Sequence, residues 1–394
     1  MSTADVVVVG LGAVGGALLL QLARRGVSAV GIDRFEPPHD QGSSHGHTRI
    51  TRIAVGEGEA FVPLVKRSHQ LWRGFEAQTG VTLMRQTGLL LVGGQGRDAA
   101  AYHGQTGFFA ETCALAQRHG VSHERLTPDE VRRRFPAFRL GEGDEAYLEH
   151  DGGVLFPEPC VRVQLALAEQ AGARVLRCTP MLSLDSSGSA VTVETPQGRW
   201  QAPQVVLCTG AWLPGMAAMG DGGAQPRLRV LRQVLHWLDT PQPAQFEPEV
   251  FPAFIWLHGQ TASDAFYGFP RVDGQPGVKV ATEQLHHTCD PDHVDRHIPD
   301  SDVADLYERH VRGRLAAVEP RALASASCLY TMSPDGRFIV DRHPTLARVT
   351  VVSACSGHGF KHSAGLGEAL AQQLTGEAPF CDLSAFRVAA LTPP

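Results

Sequence analysis

Three glycines near the start of the chain have the spacing that dinucleotide chemistry needs. Gly10-Leu-Gly12-Ala-Val-Gly15 follows the β-branched run Val6–Val9 and leads into an apolar stretch at 17–23. Gly10 permits a tight turn, Gly12 lets the backbone approach a pyrophosphate, and Gly15 lets helix and strand pack closely. A second β run, Ala29–Ile32, ends at Asp33, whose carboxylate suits ribose hydroxyls; Arg34 beside it joins the same cofactor-binding set. This fingerprint alone does not separate NAD from FAD. Two further segments favour an FAD-first oxidoreductase. Residues 205–212 read as a buried strand ending in the Thr209-Gly210 turn, of the kind flavoproteins run beside the cofactor. Residues 336–341 end in Asp341, placed to meet a ribityl or pyrophosphate group. A cluster of metal-ligand types, His286, His287, Cys289, Asp290 and His293, matches no closed zinc spacing and reads as loop chemistry.

These groups need elements to hold them. The chain has 394 residues, enough for two or three domains with a large core. Hydrophobic residues at 43% and charged residues at 19% exclude general disorder. A net charge of −6 favours neither nucleic acid nor an anionic membrane surface. The apolar run 6–23 is interrupted by four glycines and preceded by Asp5, which suits strand, turn and helix better than a membrane span or secretory signal. Eight unpatterned cysteines read as cytoplasmic thiols. The spacing predicts a helix over 63–79 ending at Gly80, and a capping box with Pro at the first helical position at Thr127-Pro128-Asp129-Glu130. It also predicts a helical stretch from 153 to about 172, and strands at 191–194 and 199–208. The Gly-rich stretch 217–227 reads as a domain crossing. The predicted class is α/β. Residues 1–85, 150–220 and 325–394 form a Rossmann-like FAD-binding domain; 86–149 and 221–324 form a smaller substrate domain.

Three segments together resemble the monomeric sarcosine oxidases and N-methyltryptophan oxidases. They are Gly42-Ser-Ser44-His45-Gly-His47-Thr48-Arg49-Ile-Thr-Arg52, Ser327-Cys328-Leu-Tyr330-Thr-Met-Ser-Pro-Asp335 and Ser356-Gly357-His358-Gly359-Phe-Lys361. Phe266-Tyr267-Gly-Phe-Pro270, followed by Lys279, supports them. The resemblance implies an FAD domain of glutathione-reductase type joined to a domain with a mixed sheet. It implies flavin bound covalently at Cys328, a substrate carboxylate held by Arg52 and Lys361, and oxygen reduced at Lys279. Arg49 and His45 fall beside the flavin and Tyr267 in the substrate pocket; Ser44, Thr48, Gly357 and Gly359 fall in the cofactor-binding segments. Two positions depart from the pattern: His47 stands where the family often has Asp, and Glu283 stands where sarcosine-active members carry His. The second weighs against sarcosine as the preferred substrate. One extra residue lies between Tyr267 and Lys279.

The chemistry expected of such residues is amine oxidation. Arg offers a planar fork and Lys a point charge, so the pair suits a carboxylate. The amine must be neutral to lose hydride, a shift of roughly three units or about 4 kcal/mol from its value in water. Cations at 49, 52, 279 and 361 favour the neutral form by like-charge repulsion, so no dedicated base is assigned. The expected activity is an FAD-dependent oxidase of N-methyl or cyclic α-amino acids that yields hydrogen peroxide, in a monomer whose partners are the amino acid and O2. The alternatives are a dehydrogenase with another electron acceptor and a non-catalytic flavin-bound subunit.

Overall fold

Val6–Val9, four buried valines in a row, form the middle of a six-stranded sheet. A strand buried on both faces needs no alternation, and none is present. The structure is a computed structural model and describes residues 2–94, 102–217, 228–272 and 274–388. Across the sheet the order is Arg174–Leu176, Ala29–Ile32, Val6–Val9, Gln204–Leu207, Val349–Ser353 and Ile339–Arg342. All pairings are parallel except the last. The sheet order reverses direction at Val6–Val9, the point where such folds bind ligands.

The first helix, Ala13–Arg24, packs against the helices Pro157–Gln170 and Ser363–Thr375. Its approach to the last helix is close because Gly367 meets Ala17: a Cβ at 367 would lie 2.6 Å from that of Ala17. The predicted helix over 63–79 is Val62–Thr79, closed by Gly80 in the left-handed region at φ 71°. The capping box forms as expected, with Thr127 and Glu130 reciprocally bonded.

Two predicted elements differ. The helix expected from 153 starts only at Pro157; Gly153–Leu155 is a strand, pairing with both Arg49–Thr51 and Met84–Gln86. Proline pushes its predecessor out of the helical region, and Phe156 is extended at ψ 95°. The strand expected over 199–208 is two, Gly198–Ala202 and Gln204–Leu207, lying in different sheets. Pro203 between them has no N–H for a ladder. The stretch expected to cross between domains lies, from 218 to 227, outside the described residues.

A mixed eight-stranded sheet carries the second half of the site. Its order is Ala322–Met332, Arg229–Leu238, Val278–Ala281, Ala265–Gly268, Ala253–Leu257, Leu89–Gly94, Asp144–Glu149 and His123–Leu126. Alternation sorts its residues by face. Phe254, Trp256, Phe266, Val278 and Val280 join a core with Val303, Leu306 and Val311. The opposite face carries Tyr330, Cys328, Lys279, Ala281 and Tyr267 in matched registers. Among the described residues no helix is long and apolar enough to cross a membrane.

Candidate active site

The glycine turn is built as its spacing requires. Gly10 has φ 89°, and a Cβ there would lie 2.5 Å from the Cys208 carbonyl oxygen. A Cβ on Gly15 would lie 1.8 Å from the Gly10 oxygen, so neither position admits a side chain. The helix that follows has Gly12 at its N-cap and no capping side chain. Its first amides are therefore available to an anion, apart from Ala13 N, which lies 3.3 Å from Ser44 Oγ. Asp33 accepts from Leu11 N at 2.7 Å and Phe35 N at 2.9 Å, which binds the second strand to the turn. A cavity of about 310 Å³ opens here, lined by Gly10, Gly12, Asp33, Arg34, Thr209 and Gly210 among others. Arg34 is held by Asp292 at 2.8 Å and lies over Trp212. Thr209 Oγ1 and Ser43 Oγ are buried without a protein partner. An uncapped helix end, a buried acid and two orphaned hydroxyls fit FAD. Asp341 does not join them: its carboxylate accepts from Val388 N at 3.0 Å and Arg342 N at 2.8 Å, away from the cavity, because the edge strand carrying it faces the C-terminal segment.

A second cavity of about 110 Å³ shares Ala13, Ser43, Ser44, Ala354 and Cys355 with the first. Arg49, Arg52, Lys279, Lys361, Tyr267, Thr48, Gly357 and Gly359 all line it. Segments more than 300 residues apart in sequence thus converge at one point. A Cβ on Gly359 would sit 1.7 Å from the Ala354 oxygen, so this glycine sets the turn that delivers Lys361.

The two carboxylate-binding candidates are not free cations. Arg52 Nη2 donates to Glu57 Oε2 at 2.7 Å, and Lys361 Nζ donates to Glu57 Oε1 at 3.1 Å. Burial would raise the Glu57 carboxyl, but Arg52 and Lys361 hold it well below its ordinary value. Burial in turn lowers Lys361 to about 8 against the pull of Glu57. Arg52 also donates to the Ala54 carbonyl at 3.1 Å, and Glu149 accepts from the amides of Ile53 and Ala54, fixing that turn. His103 bridges Glu57, at 3.0 Å from its Nδ1, to Glu283 through Nε2. Tyr267 and Tyr330 hydroxyls meet at 3.3 Å.

Lys279 lines this cavity and Cys328 lies beside it, both close to the 42–52 segment. Cys328 Sγ is 3.8 Å from the carbonyl oxygens of Gly42 and Ser43 and 3.5 Å from Arg49 Nη2. Burial would raise the thiol, yet a His45 hydrogen bond and the charges of Arg49 and Lys279 bring it down to about 7. Lys279 Nζ donates to Gly46 O at 2.6 Å and to Thr48 O and Oγ1 at 3.0 Å. Burial, then Arg49, holds its pKa well below the ordinary lysine value. His47 adopts φ 68°, a left-handed conformation that Asp and His share more readily than most residues, and Glu158 accepts from its amide and that of Gly46.

The family model for FAD dependent oxidoreductases matches residues 5–373. The chain belongs to that family. This oxidoreductase is 34% identical over 390 residues to the monomeric sarcosine oxidase of Bacillus sp. (strain B-0618), covering 98% of this chain and 95% of the relative. It is 31% identical over 389 residues to the N-methyl-L-tryptophan oxidase of Yersinia pestis (strain Pestoides F), covering 98% of each. Among solved structures, L-proline dehydrogenase from P. horikoshii superposes with a TM-score of 0.81 at 19% identity, over 98% of this chain and 97% of that one. The amino acid oxidase NikD, in its open form, gives 0.78 at 24%, over 98% of each chain. The oxidoreductase therefore shares their fold.

Sequence reasoning missed Glu57, His103 and Glu149, which lie outside the recognisable segments. It counted four cations around the site and no acid; the fold sets Glu57 against two of them and brings Glu283 into the cavity. The histidine-rich stretch 286–297 forms no metal cluster among the described residues, and His293 pairs with Asp290 at 2.8 Å.

Proposed function

We propose that this oxidoreductase oxidises secondary α-amino acids, N-methylated or cyclic, with O2 as electron acceptor and hydrogen peroxide as product. One observation carries the reading: the cavity holding Arg52, Lys361, Lys279 and Tyr267 adjoins the dinucleotide cavity and shares its wall. FAD held between Gly10–Gly15, Asp33 and Thr209-Gly210 would supply hydride acceptance at that wall. Arg52 and Lys361 bind the substrate carboxylate, their net charge with Glu57 being +1, and Tyr267 and Tyr330 line the same cavity. Lys279 is the amine beside developing negative charge on oxygen, a charge that would itself favour the protonated form of the lysine. The depressed thiol of Cys328, next to Gly42 and Ser43, supports covalent attachment of the flavin, since the thiolate is the reactive form. We read the six-stranded and eight-stranded sheets as the cofactor and substrate domains, in a cytoplasmic monomer whose eight cysteines are free.

The test is a panel of N-methyl and cyclic amino acids in a peroxide-coupled assay, with acid precipitation of the holoenzyme. Peroxide release with a yellow pellet, lost in Cys328→Ser, is expected. A colourless pellet and no peroxide with any member overturn the reading. Dye reduction without oxygen uptake favours the dehydrogenase alternative.

A further inference from the structure

Two cavities meet at Glu283. It lies two residues beyond the strand Val278–Ala281 and lines the 110 Å³ cavity beside Lys361, Tyr267 and Tyr330. It also lines a polar cavity of about 500 Å³ that includes Arg232, His236, His286, His287 and Asp302. Among the described residues it is the only carboxylate lining the inner cavity. Room for it is built in: a Cβ on Gly357 would lie 2.8 Å from Glu283 Oε1, and Gly357 has φ 79°. Behind it, His103 Nε2 pairs with Glu283 Oε1 and Nδ1 with Glu57.

The charges around that point decide what it does. Arg52, Lys361 and His103 in its protonated form stand against Glu57 and Glu283, a balance of +1. Burial opposes charge on His103, but Glu283 and Glu57 hold its pKa above the ordinary value. One carboxylate entering the cavity neutralises the group. The ammonium attached to that carboxylate adds a positive charge that must leave before hydride can. Titratable neighbours facing Glu283 from the inner side are Tyr102, Tyr267, Tyr330, His358 and Lys361; all three tyrosines are raised by burial, and burial lowers His358, so none of them is an anion that takes up the proton. On the outer side, Arg232, His236, His286, His287 and Asp302 face the larger cavity.

We propose that Glu283 accepts the ammonium proton of the bound amino acid and passes it to the outer cavity. The N–H bond breaks with its electron pair remaining on nitrogen, an O–H bond forms on the carboxylate, and that proton is released to water on the outer side. This rests on the functional reading above, because it requires an α-amino acid in the inner cavity.

The experiment uses holoenzyme and a substrate that the wild type oxidises. Anaerobic flavin bleaching is followed against pH in wild type, Glu283→Gln and Glu283→Asp. Binding of two unreactive probes, 2-aminoisobutyrate and isobutyrate, is measured in parallel by the change in flavin absorbance. In Glu283→Gln the bleaching rate at pH 7 falls about tenfold or more, and the low-pH limb of its pH profile, carried by the proton-accepting carboxylate, is lost. Glu283→Asp recovers most of both. Preference for 2-aminoisobutyrate over isobutyrate narrows about tenfold in Glu283→Gln. Superimposable pH profiles and an unchanged probe ratio overturn the assignment while leaving the functional reading intact. A wild type that no secondary amino acid bleaches overturns the functional reading itself.

Discussion

Lys361 keeps its charge near neutral pH because Glu57 stands 3.1 Å away; burial alone would take more of it. With its pKa at about 8, the lysine is protonated below that value and neutral above it. KM for the amino acid is therefore expected to rise as pH passes through 8, and Lys361→Arg should remove that rise, since guanidinium stays charged. A flat KM from pH 7 to 9.5 in the wild type would contradict it. Lys279 makes a separable prediction. Lys279→Met should slow reoxidation of reduced enzyme by O2 by about a hundredfold or more, the scale of removing one preorganised charge-stabilising group, and should leave anaerobic bleaching within a few-fold. Equal loss in both half-reactions would remove its assigned role. At this scale the sequence was legible where residues sit in a specific motif and silent elsewhere. Glu57 and Glu59 occupy one short Gly-Glu-Gly-Glu stretch, yet Glu57 is buried between Arg52 and Lys361 while Glu59 is exposed and pairs with Arg118. Nothing in their local pattern distinguishes them, because the distinction comes from chain more than 300 residues away.

At the scale of elements, period-two alternation explains why remote residues face one cavity. Lys279 and Ala281 point the same way on one strand, Cys328 and Tyr330 on another, and register aligns both with Tyr267. Local pattern showed the helix ends well, because Gly80 and the Thr127 box act within a few residues. It missed the strand Gly153–Leu155, whose reason to exist is its two partners, Arg49–Thr51 and Met84–Gln86. Gly359 gives the element-scale prediction. Its turn has no room for a methyl group, so Gly359→Ala must displace the Phe360–His362 turn that presents Lys361. A stability loss of roughly 1–3 kcal/mol, the range for overpacking, should accompany a larger rise in KM than in the loss of bound flavin. Thermal melting and substrate titration of the same preparation check it; unchanged KM with lowered flavin content would point to the cofactor instead.

For the whole molecule, buried histidines set the response to acid. Burial lowers His69, on the helix Val62–Thr79, to about 4, and lowers His236 to about 4 likewise. Both are neutral in the folded chain between pH 4 and 6.5, whereas the unfolded chain binds their protons throughout that window. Stability is thus full above about 6.5 and is lost as pH falls toward 4, by roughly 3 kcal/mol for His69 alone. Urea unfolding at pH 7 and pH 5 should show a lower midpoint at pH 5, and His69→Gln should shrink the difference. A midpoint independent of pH would exclude it. The order of sheets was only partly legible for a related reason: the chain leaves the six-stranded sheet after Ala29–Ile32 and returns at Arg174–Leu176, at Gln204–Leu207 and again at Ile339–Arg342, and each return is fixed by partners rather than by neighbours in sequence.

The strand Arg229–Leu238 has a consequence of its own. Gln233 stands opposite Cys328 on one side and Trp237 opposite Lys279 on the other. The offset of the two residues along the sheet is therefore measured out by four residues of one backbone, roughly 13 Å of strand. Slippage by a single position against either neighbour would turn one of the two groups to the far side of the sheet. An insertion or deletion within 233–237 should consequently separate Cys328 from Lys279 without unfolding either strand, making this strand a ruler that evolution or an engineer can reset only in steps of two.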